Sequence, residues 1–213
     1  MTADPARSPL LVILAAGESR RLGQPKALVR LGGRAAVDSL LDSALAVLGD
    51  GVVVAGCHAA EITAHLEGRG TPVLDNPAWA KGRTGGLALA AARFPGRDLC
   101  VAPVDCPLVP EEVFGALVSS WNEADCPAGG WWAPHLVTED GRRAFGHPIL
   151  IGRDLAQVLM DTPPETPLRD LRSRAETLGT VEVSHVSILD DLDTPEDLLR
   201  LEARVTDPPT GIH

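Results

Sequence analysis

Residues 10–26 read LLVILAAGESRRLGQPK, and the fold turns on how the apolar run at the start hands over to the polar loop at the end. Residues 10–16 form a short continuous apolar run closed by glycine, the pattern of a strand buried on both faces and followed by a loop. Apolar residues at Val37, Leu40, Leu41, Ala44, Leu45 and Leu48 then recur at helical spacing, predicting a helix over 35–48. GVVVAG at 51–56 repeats the buried-strand pattern, 59–66 reads as a helix and 72–74 as a short strand. A loop over 75–86 leads into an alanine-rich helix at 87–94, and 99–104 is another buried strand. Strands alternating with helices in this way call for parallel strand–helix–strand units in a doubly wound α/β sheet. The rhythm changes in the second half. After a helix at 110–121, segments 129–137 and 146–151 flank Glu139-Asp140-Gly141, a turn signal that predicts an antiparallel excursion. Helices at 153–160 and 168–174, a strand at 180–186 and a last helix at 195–205 complete the reading.

Composition narrows the function. The chain has 213 residues, enough for one full-sized domain, here 9–206, with segments 1–8 and 207–213 expected to be frayed. Its 45% hydrophobic content excludes a disordered chain, and 3% aromatic content means a core of Leu, Val, Ala and Ile. A net charge of −10 with no basic run longer than two arginines removes the footprint of a nucleic-acid binder. Cys57, Cys100, Cys106 and Cys126 contain no C-x-x-C pair, so no zinc site is expected. The amino terminus lacks a secretory pattern and the longest apolar run is too short to span a bilayer; a cytoplasmic protein with no membrane partner is the expectation.

Chemistry concentrates in the loop after the first strand. Ligands of open parallel sheets bind beyond the carboxyl ends of the strands, where small residues let backbone N–H groups approach an anion. Gly17 sits there, followed by Arg20, Arg21 and Lys26. The spacing fits neither a Walker A loop nor G-x-G-x-x-G. Only two of the 19 basic residues are lysines, Lys26 and Lys81, and both lie in glycine-bearing loops, as a need for a compact point charge on a phosphate would require. Asp105 follows the strand at 99–104 about five residues before the next helix, too far to cap it, which favours a metal ligand over a turn former. In DDLDTPED at 190–197, Thr194, Pro195 and Asp197 already make a competent helix start. Asp190, Asp191 and Asp193 are left as either a solvated acidic turn or a second set of metal ligands.

Together LAAGESRRLGQPKAL at 14–28, the Val104-Asp105-Cys106-Pro107 element and the DLDTPED ending at 191–197 resemble the MobA-like nucleotidyltransferases, with the resemblance running from Leu11 to Leu199. It implies a single Rossmann-like domain of the GT-A type, a mostly parallel sheet, and transfer of a nucleoside monophosphate from an NTP to a phosphorylated acceptor. It further implies Leu14, Ala15, Ala16 and Gly17 around the triphosphate with Arg20 and Lys26 as its charges. Mg²⁺ would lie on Asp105 and Asp193, with Asp191 the second candidate in its segment. Gly82, Thr84 and Gly85, at the start of the 87–94 helix, would read the base, and His147 of Gly146-His147-Pro148 would lie near the acceptor. Trp131-Trp132 offers a stacking face for a flat heterocycle such as a pterin, or else core or dimer packing. The LAAG form resembles the cytidylyl branch, so CTP is expected ahead of GTP and molybdopterin is the expected acceptor. A sugar-1-phosphate or polyol-phosphate nucleotidyltransferase is the alternative enzyme, and a nucleotide-binding protein without turnover is the alternative of another class. Monomer and homodimer both remain open.

Overall fold

The computed structural model describes residues 8–206; of the segments expected to be frayed, 207–213 and all of 1–8 but Ser8 lie outside them. Strand β1 (Leu10–Ala15) is the axis of the molecule. It is flanked in parallel by β4 (Gly51–Ala55) and β6 (Leu99–Pro103), and β4 carries β5 (Val73–Asp75) on its far side, also parallel. Being buried on both faces explains the unbroken apolar run. Leu11, Ile13 and Ala15 point to one core, packed with α1 (Ala36–Leu48) and α4 (Glu111–Glu123). Leu10 and Val12 point to the other, packed with α3 (Arg83–Arg93) and α5 (Arg153–Val158). Short helix α2 (Ala59–His65) links β4 to β5, and β2 (Arg30–Leu31) with β3 (Arg34–Ala35) forms a small separate hairpin.

Local chemistry sets most boundaries. Helix α1 ends where Gly49 takes a left-handed φ of 74° and its N–H caps the Leu45 carbonyl at 2.9 Å. Helix α3 begins at Arg83, four residues before the expected 87, because its first turn needs Gly86. A Cβ there would stand 3.2 Å from Val54, so the glycines that suggested a loop serve instead to bring the helix start close to the sheet.

The expected antiparallel excursion is present but differently paired. The Asp140-Gly141 turn joins β7 (Gly130–Val137) to β8 (Arg143–Phe145), whereas β9 (Ile149–Ile151) lies between β6 and β7, antiparallel to both. Strand β10 (Thr177–Glu182) starts three residues before the expected 180 and runs parallel to β7 along its other edge, giving the order β10-β7-β9-β6-β1-β4-β5. Helices α6 (Leu168–Arg172) and α7 (Pro195–Thr206) complete the chain. Among the described residues no helix is long and apolar enough to cross a membrane.

Candidate active site

The carboxyl ends of β1, β4, β5 and β6 share one edge of the sheet. A cavity of about 340 Å³ opens there, lined by Leu14, Ala15, Ala16 and Gly17 from β1 and its loop, Asn76 after β5, and Asp105 after β6. Arg20 and Asp193 also line it, so residues 173 positions apart in the chain reach one rim.

The β1 loop is shaped by Ser19. Its φ of 56° is left-handed, its carbonyl accepts the N–H groups of Leu22 and Gly23 at 3.1 Å, and its Oγ accepts the Lys26 N–H at 3.1 Å. That closure turns Lys26 inward, where Nζ donates to Asp193, and Arg21 donates to the same carboxylate. The Lys26 ammonium, with Arg21 beside it, holds the Asp193 carboxyl below the usual range. Arg20 lines the cavity but pairs with its neighbour Glu18 at 2.6 Å. The two arginines therefore divide their roles, and the one that reaches the acidic cluster is Arg21, which the spacing of the loop did not single out.

The acidic segment is brought to Asp105 by the backbone. The Asp105 carbonyl accepts the Leu192 N–H at 3.0 Å, and Cys106 Sγ donates to the Asp190 carbonyl at 3.0 Å. Burial and the surrounding carboxylates push the Cys106 thiol well up, so it stays protonated and serves as a donor. A reciprocal cap then fixes the entry to α7: the Thr194 N–H donates to Asp197 Oδ2 at 2.9 Å, and the Asp197 N–H to Thr194 Oγ1 at 3.2 Å. Held from both sides, Asp105, Asp191 and Asp193 each place a carboxylate oxygen within 4.8 Å of the others. Partial burial of its carboxyl, with Asp193 and Asp105 facing it, raises Asp191 above the usual range. Asp190 points away and pairs with Arg204 of α7. Three hard oxygen donors with no thiolate among them suit a divalent cation of the magnesium or manganese kind.

A second cavity of about 470 Å³ adjoins the first and shares Leu14, Pro103 and Arg83 with it. Trp131, Ile149 and Leu178 give it an apolar wall, and Arg169 and Arg172 give it charge. His147 lines it; burial holds the imidazole below its ordinary range, and its Nδ1 is shielded with no partner among the described residues. Strand alternation separates the two tryptophans. Trp131 faces this cavity, whereas Trp132 is in the core, edge-on to Trp121 at 5.1 Å.

The three candidates for base reading separate too. Gly82 lines the first cavity. Thr84 is buried, donates its hydroxyl to the Thr166 carbonyl at 2.6 Å and lines the second cavity. Gly85 packs on Pro164 and lines neither cavity. Asn76, which the sequence reading did not name, also lines the first cavity, and only its place just after a strand at the carboxyl edge could have marked it. Its Oδ1 accepts the Ala78 N–H at 3.2 Å, while Nδ2 is buried with no partner among the described residues, in the wall of the first cavity.

Residues 11–178 match the MobA-like NTP transferase domain. This chain belongs to that family. Like other MobA-like NTP transferases it is a nucleotidyltransferase. It is 37% identical to the bifunctional IPC transferase and DIPP synthase of Rubrobacter xylanophilus, over 91% of this chain and 51% of that protein, so it spans about half the length of that relative. It is 23% identical to the molybdenum cofactor cytidylyltransferase of Escherichia coli, over 92% of this chain and 96% of that protein. Among solved structures, Rv0371c of Mycobacterium tuberculosis in complex with manganese shares the fold with a TM-score of 0.69 at 21% identity, covering 94% of this chain and 99% of that one.

Proposed function

We propose that this MobA-like transferase is a cytidylyltransferase that uses Mg²⁺, CTP ahead of GTP, and a phosphorylated acceptor with molybdopterin as the first choice. The observation that carries the reading is the meeting of two cavities at Leu14, Pro103 and Arg83, one walled by a cationic loop and by two carboxylates, Asp105 and Asp193, of a three-aspartate cluster, the other by an apolar face and arginines. Two substrates held in adjoining cavities can react without any protein nucleophile, through in-line positioning and charge stabilisation.

In this reading Asp105, Asp191 and Asp193 hold the divalent ion, which neutralises charge on the triphosphate and on the departing pyrophosphate. Ala15, Ala16 and Gly17 offer close backbone approach to the phosphates. Lys26 and Arg21 pair with Asp193 and would be released to serve the triphosphate if that carboxylate held a divalent ion. Arg20 adds charge at the outer rim. Gly82 and Asn76 would line the base end, where the Asn76 Nδ2 donor could serve cytosine O2 or N3 and equally guanine O6 or N7, so the preference for CTP rests on the LAAG form of the first loop. The Trp131 wall supports a flat heterocyclic acceptor, with His147 beside it as a neutral polar group. The relative that is 37% identical is named for a transfer other than that of the molybdenum cofactor, so the second reading of the acceptor, a sugar or polyol phosphate, is kept beside the first.

The test is pyrophosphate release with each NTP in turn, Mg²⁺, and either molybdopterin or a panel of sugar and polyol phosphates. Release with CTP and molybdopterin is expected. Release only with a polyol phosphate would move the acceptor to the second reading, and no release with any pair would overturn both.

A further inference from the structure

Arg83 is the one residue with a polar side chain among the three that line both cavities. The other cations divide: Arg20, Arg21 and Lys26 line the first cavity, Arg169 and Arg172 the second. An acceptor oxygen has to come within about 3–3.5 Å of the phosphorus it attacks, so the α-phosphate of a nucleotide in the first cavity must lie at the shared wall. Two phosphates, one from each substrate, are then brought together at Arg83.

The backbone under Arg83 is held firmly. It is the first residue of α3, and the preceding Gly82, at φ 143°, lies so close to the Pro164 carbonyl that no Cβ would fit. The side chain is 66% exposed, and Nη2 donates to Asp105 Oδ2 at 3.1 Å. That bond sets the planar guanidinium beside the acidic cluster while using one of its five N–H donors, and a fork of this shape can clasp two phosphates in a fixed geometry that an ammonium, a point charge, does not impose.

We propose that Arg83 is a catalytic residue that clasps the acceptor's phosphate and the α-phosphate of the nucleotide at once, holding the attacking oxygen in line. The inference rests on the nucleotidyltransferase reading, with the second cavity as the acceptor site. In the step it assists, an oxygen of the acceptor phosphate forms a bond to the α-phosphorus. The bond from that phosphorus to the β-bridging oxygen breaks, and its electron pair leaves with pyrophosphate. Nothing is oxidised, and the attacking oxygen is already ionised, since a phosphate monoester loses its second proton near pH 6.

The competing role, a guanidinium that merely positions Asp105, differs in what it predicts for binding. The experiment compares wild type with Arg83→Ala and Arg83→Lys, using Mn²⁺ by electron paramagnetic resonance, α,β-methylene analogues of CTP and GTP by calorimetry, and phenyl phosphate titrated into the resulting ternary complex. The expected result is at least a ten-fold loss of phenyl phosphate affinity in Arg83→Ala, an intermediate loss in Arg83→Lys, a smaller loss of analogue affinity in both because Lys26 and Arg21 still serve the rest of the triphosphate, and Mn²⁺ affinity within three-fold of wild type. Unchanged phenyl phosphate binding in Arg83→Ala would overturn the proposal, as would a loss of Mn²⁺ affinity at least as large as the loss for phenyl phosphate. Wild type that takes the analogue but not phenyl phosphate would overturn the proposal alone. Wild type that binds neither Mn²⁺ nor an analogue would remove the nucleotidyltransferase reading beneath it.

Discussion

Replacing Asp191 by Asn should make the metal-free protein more stable and the metal-loaded protein less so. Burial of its carboxyl and the facing Asp193 and Asp105 carboxylates raise Asp191 above the usual range, so its ionised form opposes folding at neutral pH. Its oxygen lies within 4.8 Å of theirs, and at that distance two unit charges repel by about 0.9 kcal/mol in water, the medium appropriate to an exposed residue. Two such pairs act on Asp191, but Lys26 and Arg21 offset part of the charge on Asp193, and Arg83 part of that on Asp105. A net relief of about 1 kcal/mol follows, or about 2–4 °C in Tm for a chain of this size. With Mn²⁺ at 100 times its dissociation constant, wild type should gain about 2.7 kcal/mol, most of which the variant forgoes. Thermal unfolding followed by calorimetry at pH 7, in EDTA and in Mn²⁺, should therefore show the two proteins exchanging order. A lower Tm for Asp191→Asn in EDTA, or a full Mn²⁺ shift retained by the variant, would refute the assignment of Asp191 to the ion.

Lys26→Ala should cut turnover by about 10²–10³-fold, the usual cost of removing a charge from the transition state, while shifting stability by no more than about 2 kcal/mol because Arg21 still pairs with Asp193; steady-state kinetics beside a thermal melt checks both parts. Gly17→Ala places its Cβ where no protein atom lies within 4 Å, so Tm should hold or rise slightly while nucleotide affinity, read by calorimetry, falls at least ten-fold. His147, which burial holds below its ordinary range, resists the proton that the unfolded chain accepts below about pH 6.5. Stability should accordingly fall as pH drops below that value, by up to about 1.4 kcal/mol per pH unit from this group, and His147→Gln should flatten the slope in denaturant titrations at pH 6.5 and 5.5.

Much of the frame was legible because burial on both faces leaves a plain mark. LLVILA, GVVVA and LCVAP are apolar at every position, and each is an inner strand of the sheet. Where a segment lies at the periphery, that mark fades. Strand β10 alternates exposed with half-buried residues and was placed three positions late, and β9 has three residues whose sequence does not say that they separate β6 from β7. The glycines in the first turn of α3 misled for a definite reason: flexible loops and close helix–sheet contacts require the same residue, and only Val54 across the gap tells which applies.

The candidate site was legible residue by residue but not in its partnerships. Asp105, Asp193, Lys26 and Gly17 could be picked out by type and position. That Arg21 rather than Arg20 reaches Asp193 depends on the left-handed turn at Ser19, a conformation unusual for a residue other than glycine. Whether Asp190 or Asp191 joins the cluster is decided by Arg204 of α7, fourteen residues beyond Asp190 in the chain, which draws Asp190 aside. Arg83 was hidden for a subtler cause. In sequence it belongs to a glycine-rich helix start, and its chemistry comes only from standing where β1, β6 and α3 leave two cavities with a common wall. A residue whose role is to join two sites carries no local signature of either. The position of the helix start, set by small residues packed on Val54 and Pro164, gives the guanidinium its meaning.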